Sequence, residues 1–164
     1  MSLKRICLLS AVLCSLTWPV AANTIYLVRH AEKQHGGTDP ALTVCGQGRA
    51  EALAAYFADI KLQAVYSTGY QRTQQTVQPI AISKQLAIQQ YDPSQPELMH
   101  AQLDAHTAPV LVVGHSNTVP QLVTMLTGIE VSPLTEQDYT MLYQVELGEQ
   151  VSVTLRHQEF SCNQ

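Results

Sequence analysis

Short apolar runs that stop abruptly at polar groups recur along the chain. Thr24-Ile25-Tyr26-Leu27-Val28 ends at Arg29-His30, and Val110-Leu111-Val112-Val113 ends at Gly114-His115-Ser116-Asn117. A weaker case, Ala64-Val65-Tyr66, ends at Ser67-Thr68-Gly69. β-Branched and aromatic runs of this length predict buried strands, here 24–28, 63–67 and 110–113. Between them lie stretches of helical period. Ala50, Leu53, Ala54, Phe57 and Ala58 give a helix over 43–58 an apolar face. A second helix is expected from Gly69, capped by Thr68, with a kink or restart at Pro79. Ser94-Gln95-Pro96-Glu97 has the form of a capping box opening a third helix, after an extended or turn segment at Tyr91-Asp92-Pro93. A fourth helix runs from Thr118 to Gly128, with Pro120 tolerable in its first turn. Two alternating segments, 139–147 and 151–158, flank Gly148-Glu149-Gln150 as a hairpin.

Strands alternating with helices predict an α/β fold, a three-layer α/β/α sandwich with a mostly parallel sheet. The C-terminal hairpin makes that sheet mixed. In such sheets ligands bind beyond the carboxyl ends of the strands, where Arg29, His30 and His115 fall. Arg72 stands in the first turn of the helix after 63–67, at the same end.

The first 22 residues change the picture of the rest. Lys4 and Arg5, an apolar stretch from Ile6 to Leu16, and Val20-Ala21-Ala22 have the form of a secretory signal peptide. The apolar run falls short of the roughly 20 residues that span a bilayer, which argues against an uncleaved anchor. Cleavage leaves a single domain, 23–164, of 142 residues. The leader holds two of the nine Lys and Arg and none of the 13 acidic residues, so seven cations face 13 anions and the mature formal charge is −6. No basic cluster remains, which excludes nucleic acid as a natural partner. A periplasmic or secreted location is expected, with no stable membrane anchor after cleavage and nothing to fix the oligomeric state. Of four cysteines, Cys45 and Cys162 survive cleavage. Export favours a disulfide between them; two buried thiols are the alternative.

Arg beside His at strand ends suits phosphoryl transfer. The transferred group needs cations around its oxygens and a nucleophile in line with the leaving oxygen. Arg29, Arg72 and a protonated His115 supply the charge, and either imidazole can be the nucleophile. The helix after His115 adds backbone N–H groups and a positive dipole end. Charge supplied in this way predicts a reaction without metal or cofactor. The histidines also lack paired metal-ligand spacing.

These residues resemble the histidine phosphatase superfamily, the phosphoglycerate-mutase-like phosphatases. The nucleophile motif is matched by Val28-Arg29-His30-Ala31-Glu32, with Ala31 in place of the usual Gly. A Leu-Thr…Gly…Ala block is matched by Leu42-Thr43, Gly46 or Gly48, and Arg49-Ala50. Ser67-Thr68-Gly69-Tyr70-Gln71-Arg72-Thr73-Gln74-Gln75-Thr76 and Val112-Val113-Gly114-His115 match two later motifs. The resemblance implies His30 as the phosphorylated nucleophile, with Arg29, Arg72, His115 and Asn117 around the phosphate of a small phosphorylated substrate. It leaves the general acid open. Asp92 is the first candidate, Glu97 the second, and no dedicated acid the third. Glu32 is expected to orient an arginine. Thr43 is expected to cap a helix, Lys33 to be solvated, and His35, His100, His106 and His157 to be surface residues. A phosphomonoester hydrolase is the leading reading. A phosphate- or sugar-phosphate-binding module on the same fold is the alternative.

Overall fold

The computed structural model describes residues 23–162. The expected signal segment, 1–22, lies outside the described residues. Ten elements follow in order: β1 (Asn23–Arg29), α1 (Val44–Tyr56), β2 (Ala64–Ser67), α2 (Gln71–Lys84), β3 (Ile88–Gln90), α3 (Pro96–Asp104), β4 (Val110–Gly114), α4 (Thr118–Thr127), β5 (Met141–Leu147) and β6 (Ser152–His157).

One sheet has the order β3-β2-β4-β1-β5-β6. β1, β2, β3 and β4 pair in parallel, and β5 and β6 join antiparallel. The sheet is mixed as expected, and the reason is visible in burial. β4 is buried at every position, which is why it reads as an unbroken Val/Leu run. β6 is an edge strand with most of its side chains exposed, and its sequence alternates.

Two cores cover the sheet. Ile25, Leu27, Val110 and Val112 point to one face and pack with α3 and α4 through Met99, Leu103, Val119, Leu122 and Val123. Tyr26, Val28, Leu111 and Val113 point to the other and pack with α1 and α2 through Leu53, Phe57, Val77 and Ile80. Each side chain so buried contributes about 1.5–3 kcal/mol. Among the described residues no helix is long and apolar enough to cross a membrane.

The structure corrects two expectations, the Thr68 cap and the Ser94 capping box, and adds a strand. α2 begins at Gln71 with Tyr70 as its cap residue, so Thr68 is not the cap. α2 also runs through Pro79 as one element. The Ser94–Glu97 capping box does not form; Gln95 is the cap residue of α3, and Ser94 bonds to Asp92 instead. Ile88–Gln90, which shows no apolar run, is a short edge strand. Thr43 does cap α1, its side chain accepting from Gly46 N at 3.0 Å, a contact of about 1 kcal/mol.

Candidate active site

Register brings the two histidines together. Arg29 pairs with Gly114 across adjacent parallel strands, so the residues that follow emerge side by side. His30 N donates to Gly114 O at 2.9 Å, and the two imidazole rings lie 5.5 Å apart. Gly114 is required there, because a Cβ would stand 2.7 Å from Tyr91 Oη and 2.9 Å from Thr118 Oγ1. The first turn of α2, with Arg72, and the N-terminus of α4 border the same end of the sheet.

His30 is almost fully buried, at 3% exposure. Its Nδ1–H donates to Ala31 O at 2.8 Å, which leaves the Nε2 lone pair free for attack. Burial pushes its pKa down to about 3. The bond to Ala31 opposes that shift, while Arg29, His115 and Arg72 reinforce it. The neighbouring loop is anchored by Thr76 Oγ1, which accepts from Ala31 N at 2.9 Å and donates to Arg72 O at 2.7 Å. Thr76 therefore joins the loop after His30 to the helix that carries Arg72.

His115 is held from two sides. Its Nε2–H donates to Thr68 Oγ1 at 3.0 Å, and its Nδ1 faces Arg72 Nη2 at 3.4 Å. Thr68 is tied in turn to Thr73 Oγ1 at 2.8 Å. Burial pushes the His115 pKa down to about 4, with Arg72 and then Arg29 adding to the shift. The free site therefore holds a neutral His115, not the charged one expected from sequence.

Both arginines are braced. Arg29 is 2% exposed. It donates through Nη1 to Thr135 O, pairs through Nη2 with Glu136 Oε2 at 3.1 Å, and lies 4.3 Å from the Tyr139 ring centroid. Arg72 pairs with Asp39 Oδ1 at 3.7 Å and lies 4.3 Å from the Tyr70 ring centroid. Yet Arg29 Nε and Arg72 Nε are buried donors without partners. Such groups are rare in folded proteins and point to an anionic ligand between the arginines.

The other sequence candidates fall as follows. Asn117, exposed, precedes α4 near His115, and its side chain makes no capping bond. Asp92 makes its bonds within its own turn. Its carboxylate accepts from Ser94 N at 2.9 Å, Ser94 Oγ at 2.7 Å and Gln95 Nε2 at 3.0 Å. Those bonds hold its pKa below the usual carboxylate range, which disfavours the protonated form that a general acid needs. None of them reaches Arg29, His30, Arg72 or His115. Glu97 sits in the first turn of α3, where an acidic residue favours the helix dipole. Glu32 orients an arginine as expected, and that residue is Arg49, bound by both carboxylate oxygens at 2.6–3.0 Å. Lys33, expected to be solvated, comes within 3.9 Å of Glu136.

Cys45 and Cys162 form a disulfide with Cα atoms 5.5 Å apart. It pins the tail beside Glu32, and Phe160 lies against Arg49 with the guanidinium 5.1 Å from its ring centroid. Tyr70, Thr68, Glu136 and Tyr139 were not assigned to the site from sequence. The first two lie inside a motif already noted. The last two are more than 100 positions from Arg29, and nothing local signals their approach.

Residues 25–93 match the histidine phosphatase superfamily (branch 1). That segment carries Arg29, His30 and Arg72. Solved structures with the same fold include the protein histidine phosphatase SixA complexed with tungstate, with a TM-score of 0.68 at 18% identity, covering 82% of this chain and 97% of that one. A second, mycobacterial hydrolase 1, has a TM-score of 0.68 at 13% identity and covers 86% and 100%. A third, mycobacterial glucosyl-3-phosphoglycerate phosphatase with inorganic phosphate, has a TM-score of 0.63 at 13% identity and covers 84% and 97%. Comparison with curated proteins by sequence gives no match.

Proposed function

We propose that the chain is a phosphomonoester hydrolase that works without metal through a phosphohistidine on His30, outside the cytoplasm. The observation that carries this is the pairing of a buried neutral imidazole, its Nδ1–H fixed on Ala31 O, with two arginines whose buried Nε groups have no protein partner. His30 Nε2 attacks phosphorus and the bond to the leaving oxygen breaks. That oxygen takes its proton from water or from the substrate's own phosphoryl group, since Asp92 is engaged elsewhere. Water then attacks the phosphohistidine, releasing phosphate and restoring His30. Arg29, Arg72 and a His115 protonated by the bound anion stabilise the equatorial oxygens, the task a divalent ion performs in many phosphoryl-transfer sites. The phosphatases named above support a phosphorylated substrate. The leader at 1–22 supports export.

The test is a rapid quench of purified mature protein with labelled phosphomonoester. An alkali-stable, acid-labile phosphoenzyme is expected, absent in His30→Ala, and formed equally after dialysis against EDTA. Label on another residue, or recovery only with a divalent ion, contradicts the proposal. One observation favours the second reading, a phosphate-binding module: Asp92 is tied away from the site. That reading predicts phosphate binding without phosphoenzyme.

A further inference from the structure

Each site arginine already carries a carboxylate and an aromatic ring. On Arg29 they are Glu136 at 3.1 Å and Tyr139 at 4.3 Å; on Arg72 they are Asp39 at 3.7 Å and Tyr70 at 4.3 Å. The same rings flank the histidines, with Tyr139 at 6.2 Å from His30 and Tyr70 at 5.2 Å from His115. Asp39 is fixed independently of Arg72, because its Oδ1 accepts from Gln71 N at 2.9 Å and its carbonyl from Gln71 Nε2 at 3.1 Å. Glu136 keeps a second cation, Lys33, at 3.9 Å. Its side chain is 71% exposed, so it stands at the mouth of the site.

Phosphoryl oxygens compete with both carboxylates for the guanidinium forks. Once the phosphate is bound, Asp39 remains anchored by Gln71, and Glu136 retains only the more distant Lys33. Tyr70, 41% exposed, stands at the same opening, 5.2 Å from the His115 ring. Two carboxylates and two aromatic rings at one opening are the chemistry that receives an organic cation. The same carboxylates repel a leaving group that carries a second anion.

Resting on the phosphatase reading, we infer that the preferred substrate is a phosphomonoester of an amino alcohol, its ammonium group received by Glu136 and Asp39 between Tyr70 and Tyr139. Glu136 is then the specificity-determining residue most open to substitution.

The experiment measures kcat/KM for three alkyl phosphates of similar size: ethanolamine phosphate, ethylene glycol phosphate and the phosphate of 3-hydroxypropionate. p-Nitrophenyl phosphate serves as the reference. The cationic ester is expected to exceed the neutral one by about 10-fold, and the anionic one to fall below it by a similar factor. E136Q and D39N each narrow the spread, and E136K reverses it. Equal rates for the three esters, with p-nitrophenyl phosphate still hydrolysed through His30, overturn the inference and leave the phosphatase reading standing. An order that persists unchanged in both E136Q and D39N also overturns it. Failure to hydrolyse any ester, p-nitrophenyl phosphate included, removes the phosphatase reading and the inference together.

Discussion

The Nδ1 proton of His30 is held by the carbonyl oxygen of Ala31, 2.8 Å away, and the imidazole is buried enough to keep its pKa near 3. His30 is therefore unprotonated well into the acid range, and the proposed attack on phosphorus needs that form. An ordinary histidine, with a pKa of about 6.5, loses about 30-fold in its active form between pH 7 and pH 5. Once the substrate's own ionisation is divided out, kcat/KM should fall by less than about 3-fold over that interval. A 30-fold fall would show an unshifted nucleophile.

The same burial makes stability depend on pH. His30 and His115 titrate lower in the folded protein, at about 3 and about 4, than in the unfolded chain. Their neutral burial contributes nothing adverse above pH 6.5. As pH falls below that value, the unfolded chain takes up protons first and stability is lost, down to the folded pKa values. The slope is at most about 1.4 kcal/mol per pH unit for each histidine. Thermal melts at pH 7 and pH 4.5 should show the drop, and His115→Gln should reduce it. A melting temperature independent of pH across that range would contradict the assignment.

Thr68 acts through His115 as a positioning residue. Thr68→Val removes the acceptor for His115 Nε2–H and leaves that donor buried, an effect of about 1–3 kcal/mol. We expect kcat/KM to fall by about 10-fold or more, with Thr68→Ser restoring most of it. The proton uptake that accompanies phosphate binding should change in the Val variant and return in the Ser variant. Calorimetry in two buffers of different ionisation enthalpy measures it. Equal loss in both variants would mean a packing role only.

Asp92→Asn keeps the side chain's shape and weakens its bonds to Ser94 and Gln95. Rates on an alkyl phosphate and on p-nitrophenyl phosphate should change by the same small factor. A general acid contributes about 10²–10⁴-fold and chiefly for the poorer leaving group. A selective loss on the alkyl ester would return the acid's role to Asp92.

The Cys45–Cys162 bond closes a segment of 117 positions. Mass spectrometry of non-reduced mature protein should find it, and Cys45→Ser should destabilise the fold by about 2–4 kcal/mol. Two alkylatable thiols in the exported protein would exclude the bond.

What was legible in the sequence was whatever depends on local pattern. A Val/Leu run ending at His115 is at once a buried strand and a site position, so β4 and its histidine were read together. The same holds for β1 with Arg29 and His30. β3 was missed because Ile88-Gln89-Gln90 lies at the sheet edge and keeps two exposed glutamines, so burial leaves no mark on it. The Ser94–Glu97 box failed because Asp92, two positions upstream, offers Ser94 a carboxylate that a pattern of residue types does not weigh. Glu136 and Tyr139 reach Arg29 only through tertiary folding of a loop whose composition carries no signal. Residue type gives His115 its ordinary pKa, and only burial beside two guanidiniums lowers it.

The register that sets Arg29 opposite Gly114 also decides when the protein becomes competent. The nucleophile and its imidazole partner come from strands far apart along the chain, and neither has its neighbours until β1 and β4 are side by side. A nascent chain that has yet to place residue 115 holds only half a phosphate site, however well its first helices form. Chemistry at His30 is thus a late event of assembly. Until β1 and β4 lie side by side, no working site exists, whatever else has folded.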